Sequence, residues 1–239
     1  MIKAWLKFFR VVNLPTVPGD VLVGAAALLT NGLQQSAGPV AIVAACVAGM
    51  LLYMFGLADN DIVGVKTDRG RPIPDGQISL RAARVARGFC LFGVLIIGAV
   101  ANLPPAWWIA AFALTVAVVV YNRTKWCLLM GFCRGLNVWC GGVAVAQCNF
   151  RGIPSEGHLA LFCATVIWTL YIAVVTKYSE GEEMNAAKKR RVGFLIGAIV
   201  YLQLIALIVL PVKPFLIVGA VLLIVLRLMK RCLPEVSAS

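Results

Sequence analysis

The sequence predicts an all-α integral membrane protein, a bundle of about eight transmembrane helices in two four-helix halves. Three observations predict it. Hydrophobic residues fill 61% of the 239 positions and charged residues only 13%, about half the charged share of a soluble domain. The apolar runs are continuous and about 20 residues long, enough for a helix to cross a bilayer. Strands of a membrane barrel would alternate over about ten residues instead. Finally, seven of the ten acidic residues gather at two points half a chain apart, each after a long apolar run.

Taken in order, the spans fall at 14–33, 39–58, 83–102, 106–122, 127–147, 158–177, 192–210 and 214–230. Asn31-Gly32 separates the first pair, Pro104-Pro105 the third from the fourth, Gly152 with Pro154 the fifth from the sixth, and Pro211 with Pro214 the last pair. Such residues turn a chain and interrupt helices. Charged segments make the other connections. MIKAWLKFFR ahead of span one is amphipathic and basic, without a small-residue cleavage site, and is not expected to be a cleaved leader. Residues 1–239 are read as a single transmembrane domain.

The net charge of +12 is topological in a membrane chain and does not point to nucleic acid, because Lys and Arg collect on the cytoplasmic side. Of 22 such residues, 19 lie before span one, at or after the end of span eight, or in and beside the connections after spans two, four and six. Both termini and both acidic stretches are therefore expected in the cytoplasm, on a bacterial inner membrane. Lys188 to Arg191 reads as an anchor at the lipid surface. Most of the eight cysteines lie inside apolar runs, with no CxxC pair and a single histidine, His158. They are expected to pack as small hydrophobes.

The two acidic stretches carry the functional reading. Asp59, Asp61, Asp68 and Asp75 lie in DNDIVGVKTDRGRPIPDG, and Glu180, Glu182 and Glu183 in YSEGEE. Carboxylates and amide oxygens suit hard cations, and Mg²⁺ commonly bridges carboxylates to substrate phosphates. Neighbouring Lys and Arg hold remaining phosphate charge. A diphosphate at the cytoplasmic mouth of an apolar bundle implies a ligand with a hydrocarbon tail, a prenyl diphosphate. Solvated surface pairs of little energetic value are the competing account of these charges.

YMFGLADNDIVGVKTDRGRPIPDGQIS resembles the first signature of the UbiA superfamily of intramembrane prenyltransferases, Asn-Asp-x-x-Asp-x-x-x-Asp followed by Arg-Pro-Ile-Pro-x-Gly. Asn60, Asp61 and Asp68 match it, and Arg71 to Pro74 with Gly76 match the turn. YNRTK (Tyr121 to Lys125) is similar to the family's Tyr-x-x-x-Lys. CRGLNV (Cys133 to Val138) resembles a motif of one bacterial branch, and RVVNLPTVPGD the family's first-helix entrance. Three features depart from the pattern. Gly64 stands where the signature has its middle Asp, the second motif is reduced to glutamates, and eight spans are counted where the family usually has nine.

The resemblance implies a UbiA-like fold and a Mg²⁺ cofactor held by Asn60, Asp61, Asp68 and, by spacing after Thr176, Glu182. Asp59 is an alternative ligand in place of Gly64, and Asp75 reads as a turn residue. Lys125, Arg71 and Lys177 are implied phosphate contacts. Tyr121 either bonds diphosphate oxygen or marks the interface. Asn13 and Asp20, seven apart, are expected on one face of span one, where they bond between helices or touch substrate. Arg134 and Asn137 share a face of span five; Arg134 meets either diphosphate or Asp20. Gly131 and Gly135 suggest close helix packing. The implied reaction moves a prenyl group to an aromatic or other lipophilic acceptor, with Asp61, Asp68, Lys125 and Arg134 as its catalytic groups. An isoprenoid-diphosphate carrier without catalysis, and a small transporter working through Asp20 and Arg134, are the other readings.

Overall fold

Within a bilayer no water meets a backbone N–H or C=O, so a continuous apolar run must bond to itself as helix. Helix is the only regular structure in the described residues of the computed structural model, which are 2–29, 39–68, 70–146, 155–179, 186–210 and 213–232. A short α1 (Ile2–Phe8) and a 3₁₀ turn (Val11–Asn13) lead into α2 (Thr16–Leu29). Then follow α3 (Pro39–Val63), a 3₁₀ turn (Gly64–Lys66), α4 (Leu80–Val100), α5 (Pro105–Thr124) and α6 (Cys127–Val145). The series closes with α7 (Ser155–Ser179), α8 (Ala186–Val209) and α9 (Lys213–Cys232).

Each of the eight expected spans coincides with one long helix. Among the described residues seven helical stretches are long and apolar enough to cross a membrane. The exception is α9, where Lys213 and then Arg227, Lys230 and Arg231 dilute its 20 residues with charge. Large side chains face outward along the bundle, as with Phe89, Phe92, Ile109, Phe112, Phe162 and Val174. A soluble protein would bury them; lipid is their natural solvent. The chain is an integral membrane protein.

The halves do not pack as two separate bundles. Helix α2 touches α3 and also α6, α7, α8 and α9. It is buried from Thr16 to Leu28, because small residues let its neighbours close in. A Cβ on Gly24 would lie 1.8 Å from the Val138 carbonyl oxygen, and one on Gly141 2.1 Å from that of Val21. The α2 and α6 backbones meet there as only glycine permits. Gly131 and Gly135 do the same against Thr169 of α7, so their expected packing role holds.

Two boundary shifts matter for the site. Span two was expected to end at 58, but α3 continues to Val63, so Asp59, Asn60 and Asp61 lie on helix. Asn13 belongs to the 3₁₀ turn before α2, so the helical phase expected to align it with Asp20 does not run through both.

Candidate active site

Six residues of α3, at helical spacing, form one wall of a cavity of about 290 Å³: Gly49, Leu52, Tyr53, Gly56, Leu57 and Asn60. From Gly49 to Asn60 this wall runs roughly 16 Å at a rise of about 1.5 Å per residue. Leu114, Val118 and Tyr121 of α5 and Met130, Cys133, Arg134 and Asn137 of α6 complete it. Its middle is apolar. Arg10, Asn60, Asp68, Arg71 and Lys125 gather at one end, Arg134 and Asn137 at the other.

Helical continuation of α3 sends three consecutive side chains in three directions, since each residue advances by about 100°. Asn60 faces the cavity and accepts a hydrogen bond from Lys125 Nζ. Asp61, only 3% exposed, turns to the following loop and accepts from Arg71 Nη1. Asp59, 1% exposed, does not line the cavity and sits behind Asn122, which does. It takes Arg87 Nη1 at 2.8 Å and Asn122 Nδ2 at 2.9 Å, and thereby joins α3, α4 and α5. Both carboxylate oxygens of Asp59 are engaged in this way, and neither Asp59 nor Asp61 lines the cavity directly.

The loop after α3 brings the remaining groups back. Asp68 N–H donates to the Gly64 carbonyl at 2.9 Å. The RPIP segment is a turn: Asp75 N–H donates to Arg71 O, and Gln77 and Ile78 N–H both donate to Pro72 O. Gly76 supplies the left-handed backbone (φ 71°) that closes it. Ile73 and Ile78 fasten the turn to Ala4 and Phe8 of α1 and to Ala58 and Ala83. So anchored, Arg71 spans both acids, with Nη2 3.1 Å from Asp68 Oδ2 while Nη1 engages Asp61. Asp75 is an exposed turn residue, as expected.

Gly64 acquires a physical reason here. A Cβ at this position would lie 2.4 Å from Asp68 Oδ2. The glycine makes room for the Asp68 carboxylate beside Arg71. Gly64→Ala is therefore expected to displace Asp68 while leaving thermal stability almost unchanged, since a mobile carboxylate moves more cheaply than backbone. Calorimetric titration of geranyl diphosphate with Mg²⁺ should then show weaker binding, by about tenfold for one charge-assisted contact. Unchanged affinity would count against the role given to Asp68.

Arrangement of these donors suits a hard cation. Two carboxylates already converge on one cationic group, the Arg71 guanidinium, and an amide oxygen lies on the neighbouring residue. An all-oxygen set of this kind, leaving positions for water and phosphate, fits Mg²⁺. Glu182 lies outside the described residues. Within the described residues no cluster of three or more Asp, Glu, His or Cys forms a complete protein cage. Lys125 ends α5 in the left-handed conformation (φ 55°). Although exposed, it loses enough water at the cavity mouth to sit below the ordinary lysine range. Arg71 and Arg10 push it the same way, while Asp68 and Asp61 oppose them.

Arg10 is the residue the sequence reading left in a topological role. It lines the cavity mouth, in a left-handed conformation (φ 41°), and makes no ion pair among the described residues. Its sequence signals were a base directly ahead of span one and its place at the head of RVVNLPTVPGD. Asn122 was also missed; its partner Asp59 lies 63 positions away.

Other expected contacts fall elsewhere. Asp20 is 0% exposed and does not line the cavity. Its carboxylate accepts from Trp168 Nε1 at 2.9 Å, Gln203 Nε2 at 2.7 Å, Arg134 Nη2 at 3.1 Å and Asn137 Nδ2 at 3.2 Å. Arg134 Nε stands 2.9 Å from Asp20 Oδ2 as an ion-pair contact without hydrogen-bond alignment. The expected Arg134–Asp20 pair thus exists, and it ties α2 to α6, α7 and α8. Asp20 bonds between helices and does not face a pathway, as the transporter reading required. Asn13 accepts from Thr16 Oγ1 through its backbone carbonyl and does not line the cavity. Lys177, exposed at the end of α7, does not either.

Comparison with known proteins agrees with this architecture. Digeranylgeranylglyceryl phosphate synthase superposes with a TM-score of 0.59 at 17% identity, covering 100% of this chain and 91% of that one. A UbiA homologue from Archaeoglobus fulgidus bound to GPP and Mg²⁺ gives 0.58 at 13% identity, covering 97% and 87%. The DMAPP and Mg²⁺ form of the Archaeoglobus fulgidus homologue gives 0.57, also at 13% identity and with the same coverage. At such identities the likeness establishes a common fold. No curated protein matches the sequence. The family model described as the UbiA prenyltransferase family matches residues 21–232, most of the chain and all of the cavity except Arg10 and Val17, and the chain belongs to that family.

Proposed function

We propose that the protein is a Mg²⁺-dependent intramembrane prenyltransferase that moves a prenyl group from a prenyl diphosphate to an aromatic or other lipophilic acceptor. The single observation that carries this reading is the cavity's polarity: a mouth of Asp68, Asn60 and three bases, with Asp61 just behind it under Arg71, above an apolar shaft. It suits a ligand with a diphosphate head and a hydrocarbon tail. The GPP, DMAPP and Mg²⁺ bound by the Archaeoglobus fulgidus homologue support it by analogy. Asn60, Asp61 and Asp68 would hold the metal, with Glu182 as the expected partner. When bound, the metal supplies positive charge to the diphosphate oxygens.

The chain's own groups do the rest. Arg10, Arg71 and Lys125 neutralise the leaving diphosphate as the C1–O bond breaks and the electron pair departs with oxygen. Tyr121 beside them is placed to donate to a diphosphate oxygen. The acceptor forms the new bond to C1 and releases a proton. Leu52, Leu57, Leu114 and Val118 exclude the water that would otherwise capture the allylic cation. The mouth faces the cytoplasm, with both termini, if the basic residues obey the positive-inside bias.

The test is purified protein with geranyl diphosphate and a panel of phenolic acceptors, with and without Mg²⁺, products read by mass spectrometry. Prenylated product is expected only with Mg²⁺. Geranyl diphosphate affinity should also fall as pH rises through the lowered Lys125 value, because the neutral amine attracts no phosphate. No product from any acceptor, with geranyl diphosphate still bound, would leave a carrier in place of an enzyme.

A further inference from the structure

Asn122 of α5 sets an amide into the cavity wall. Its Nδ2 donates to the Gly56 carbonyl at 3.0 Å and to Asp59 Oδ2 at 2.9 Å. Both partners are acceptors only, so a flipped amide would face oxygen with oxygen. Oδ1 is thereby the end of the amide left for the cavity. It accepts no hydrogen bond among the described residues, yet it is not sealed: the buried side-chain atoms without a partner belong to Trp107, Arg134, Asn137 and Gln203. Its neighbours give its depth. Gly56 lies one turn of α3 from Asn60, Asn122 lies one turn of α5 from Lys125, and Asn60 and Lys125 meet at the mouth. Asn122 therefore stands about 5.4 Å below the mouth, one helical turn. Behind it, Asp59 is 1% exposed, and its other oxygen takes Arg87 Nη1 at 2.8 Å. A buried carboxylate at the nitrogen end polarises the amide toward Oδ1.

We propose that Asn122 is a further catalytic residue: its Oδ1 stabilises the positive charge that develops on the allylic carbons, with Asp59 as its positioning residue. This rests on the prenyl-transfer reading. With the diphosphate at the mouth, the carbons that lose it are the first below the head group, at the level of Asn122. As the C1–O bond breaks, its electron pair leaves with oxygen, and C1 and C3 share the positive charge. Oδ1 forms no bond to carbon; the acceptor does, and releases a proton. Asp68 is the only acid among the described residues that line the cavity, and Arg71 holds it at the mouth. A carboxylate lower down would capture the cation as an ester, whereas an amide oxygen is a weak nucleophile with a fixed dipole. An uncharged tail against Oδ1 leaves the desolvated carbonyl unpaired, and the cation satisfies it. The interaction thus strengthens from ground state to transition state, the condition for raising kcat.

The test pairs binding with turnover in the full chain in nanodiscs. The probe is a geranyl-like chain with a quaternary ammonium at the position of C3, which carries charge but no N–H. Its uncharged control has a quaternary carbon there. Calorimetric titration with Mg²⁺ and inorganic diphosphate, corrected for partition into empty nanodiscs, is expected to show tighter binding of the cation by the native chain. Asn122→Leu, which keeps the volume and removes the dipole, should lower that preference about tenfold. It should also lower kcat with geranyl diphosphate about 10²-fold while KM stays almost unchanged. Asn122→Ala is the second variant, and whichever keeps the native unfolding temperature decides. A merely structural Asn122 would weaken both ligands alike. Equal binding of cation and control by the native chain overturns the proposal. So does a preference that survives in the folded variant, or a loss confined to KM. Prenyl transfer that is indifferent to Asn122 removes only this role, whereas an Asn122-dependent preference without transfer removes the enzyme reading and keeps the cation-binding wall.

Discussion

Asp61→Ala is expected to lower Mg²⁺-dependent turnover of geranyl diphosphate by about 10²–10³-fold, the usual loss when one preorganised electrostatic group is removed. Asp61 is 3% exposed and buried beneath Arg71. Its carboxylate is thus held in one place and shielded from bulk water, where a charge acts most strongly. Stability should change much less, since Arg71 keeps Asp68 and remains 29% exposed in its side chain. Turnover and unfolding temperature, measured on the same preparation, separate the two effects. Near-native turnover in Asp61→Ala would refute the assigned role. A large drop in unfolding temperature would show Asp61 to be a structural group.

Asp20→Ala is expected to act in the opposite way, with a stability loss of about 3–5 kcal/mol, the cost of leaving a buried charge without its partner. Four donors converge on this carboxylate from α6, α7 and α8. Removing it strands Arg134, which is 8% exposed. Reversible denaturation in mixed micelles reads the loss. Arg134→Met added to Asp20→Ala should cost less than the two changes summed, because the second removes the stranded charge. A loss below about 1 kcal/mol, or strict additivity, would mean that the carboxylate is not the centre of this network.

These two aspartates mark how much of the site was legible. Asp61 was found through a local pattern, DNDIVGVKTDRGRPIP, in which ligands and turn lie within one short stretch. Local patterns survive in sequence because their spacing is their geometry. Asp20 was noticed as an acid inside an apolar run, and its pairing with Arg134 was one of two accounts left open. Its other partners, Trp168 and Gln203, lie 148 and 183 positions away, and no period or motif connects them.

Asp59 shows the same limit at closer range. Sequence placed it beside Asn60 and Asp61 as a member of one acidic loop. Because α3 runs on to Val63, neighbours in sequence diverge around the helix, and Asp59 bonds to Arg87 and Asn122, behind the cavity lining. Gly64 looked like a lost ligand, and packing makes it the space that Asp68 occupies.

Spans, helical class, the concentration of charge at one end and the first acidic motif were all readable from the chain. Each depends on composition or on spacing within a few turns, where the bilayer and the peptide geometry leave little choice. The division of labour among buried polar residues was settled only by tertiary packing. Asp20 became a scaffold, Arg10 a mouth residue and Asn137 a partner of Asp20 because helices far apart in sequence met at particular rotations. Rotation of one helix against another depends on the fit of small and large side chains over the whole bundle, and no local stretch of sequence contains it.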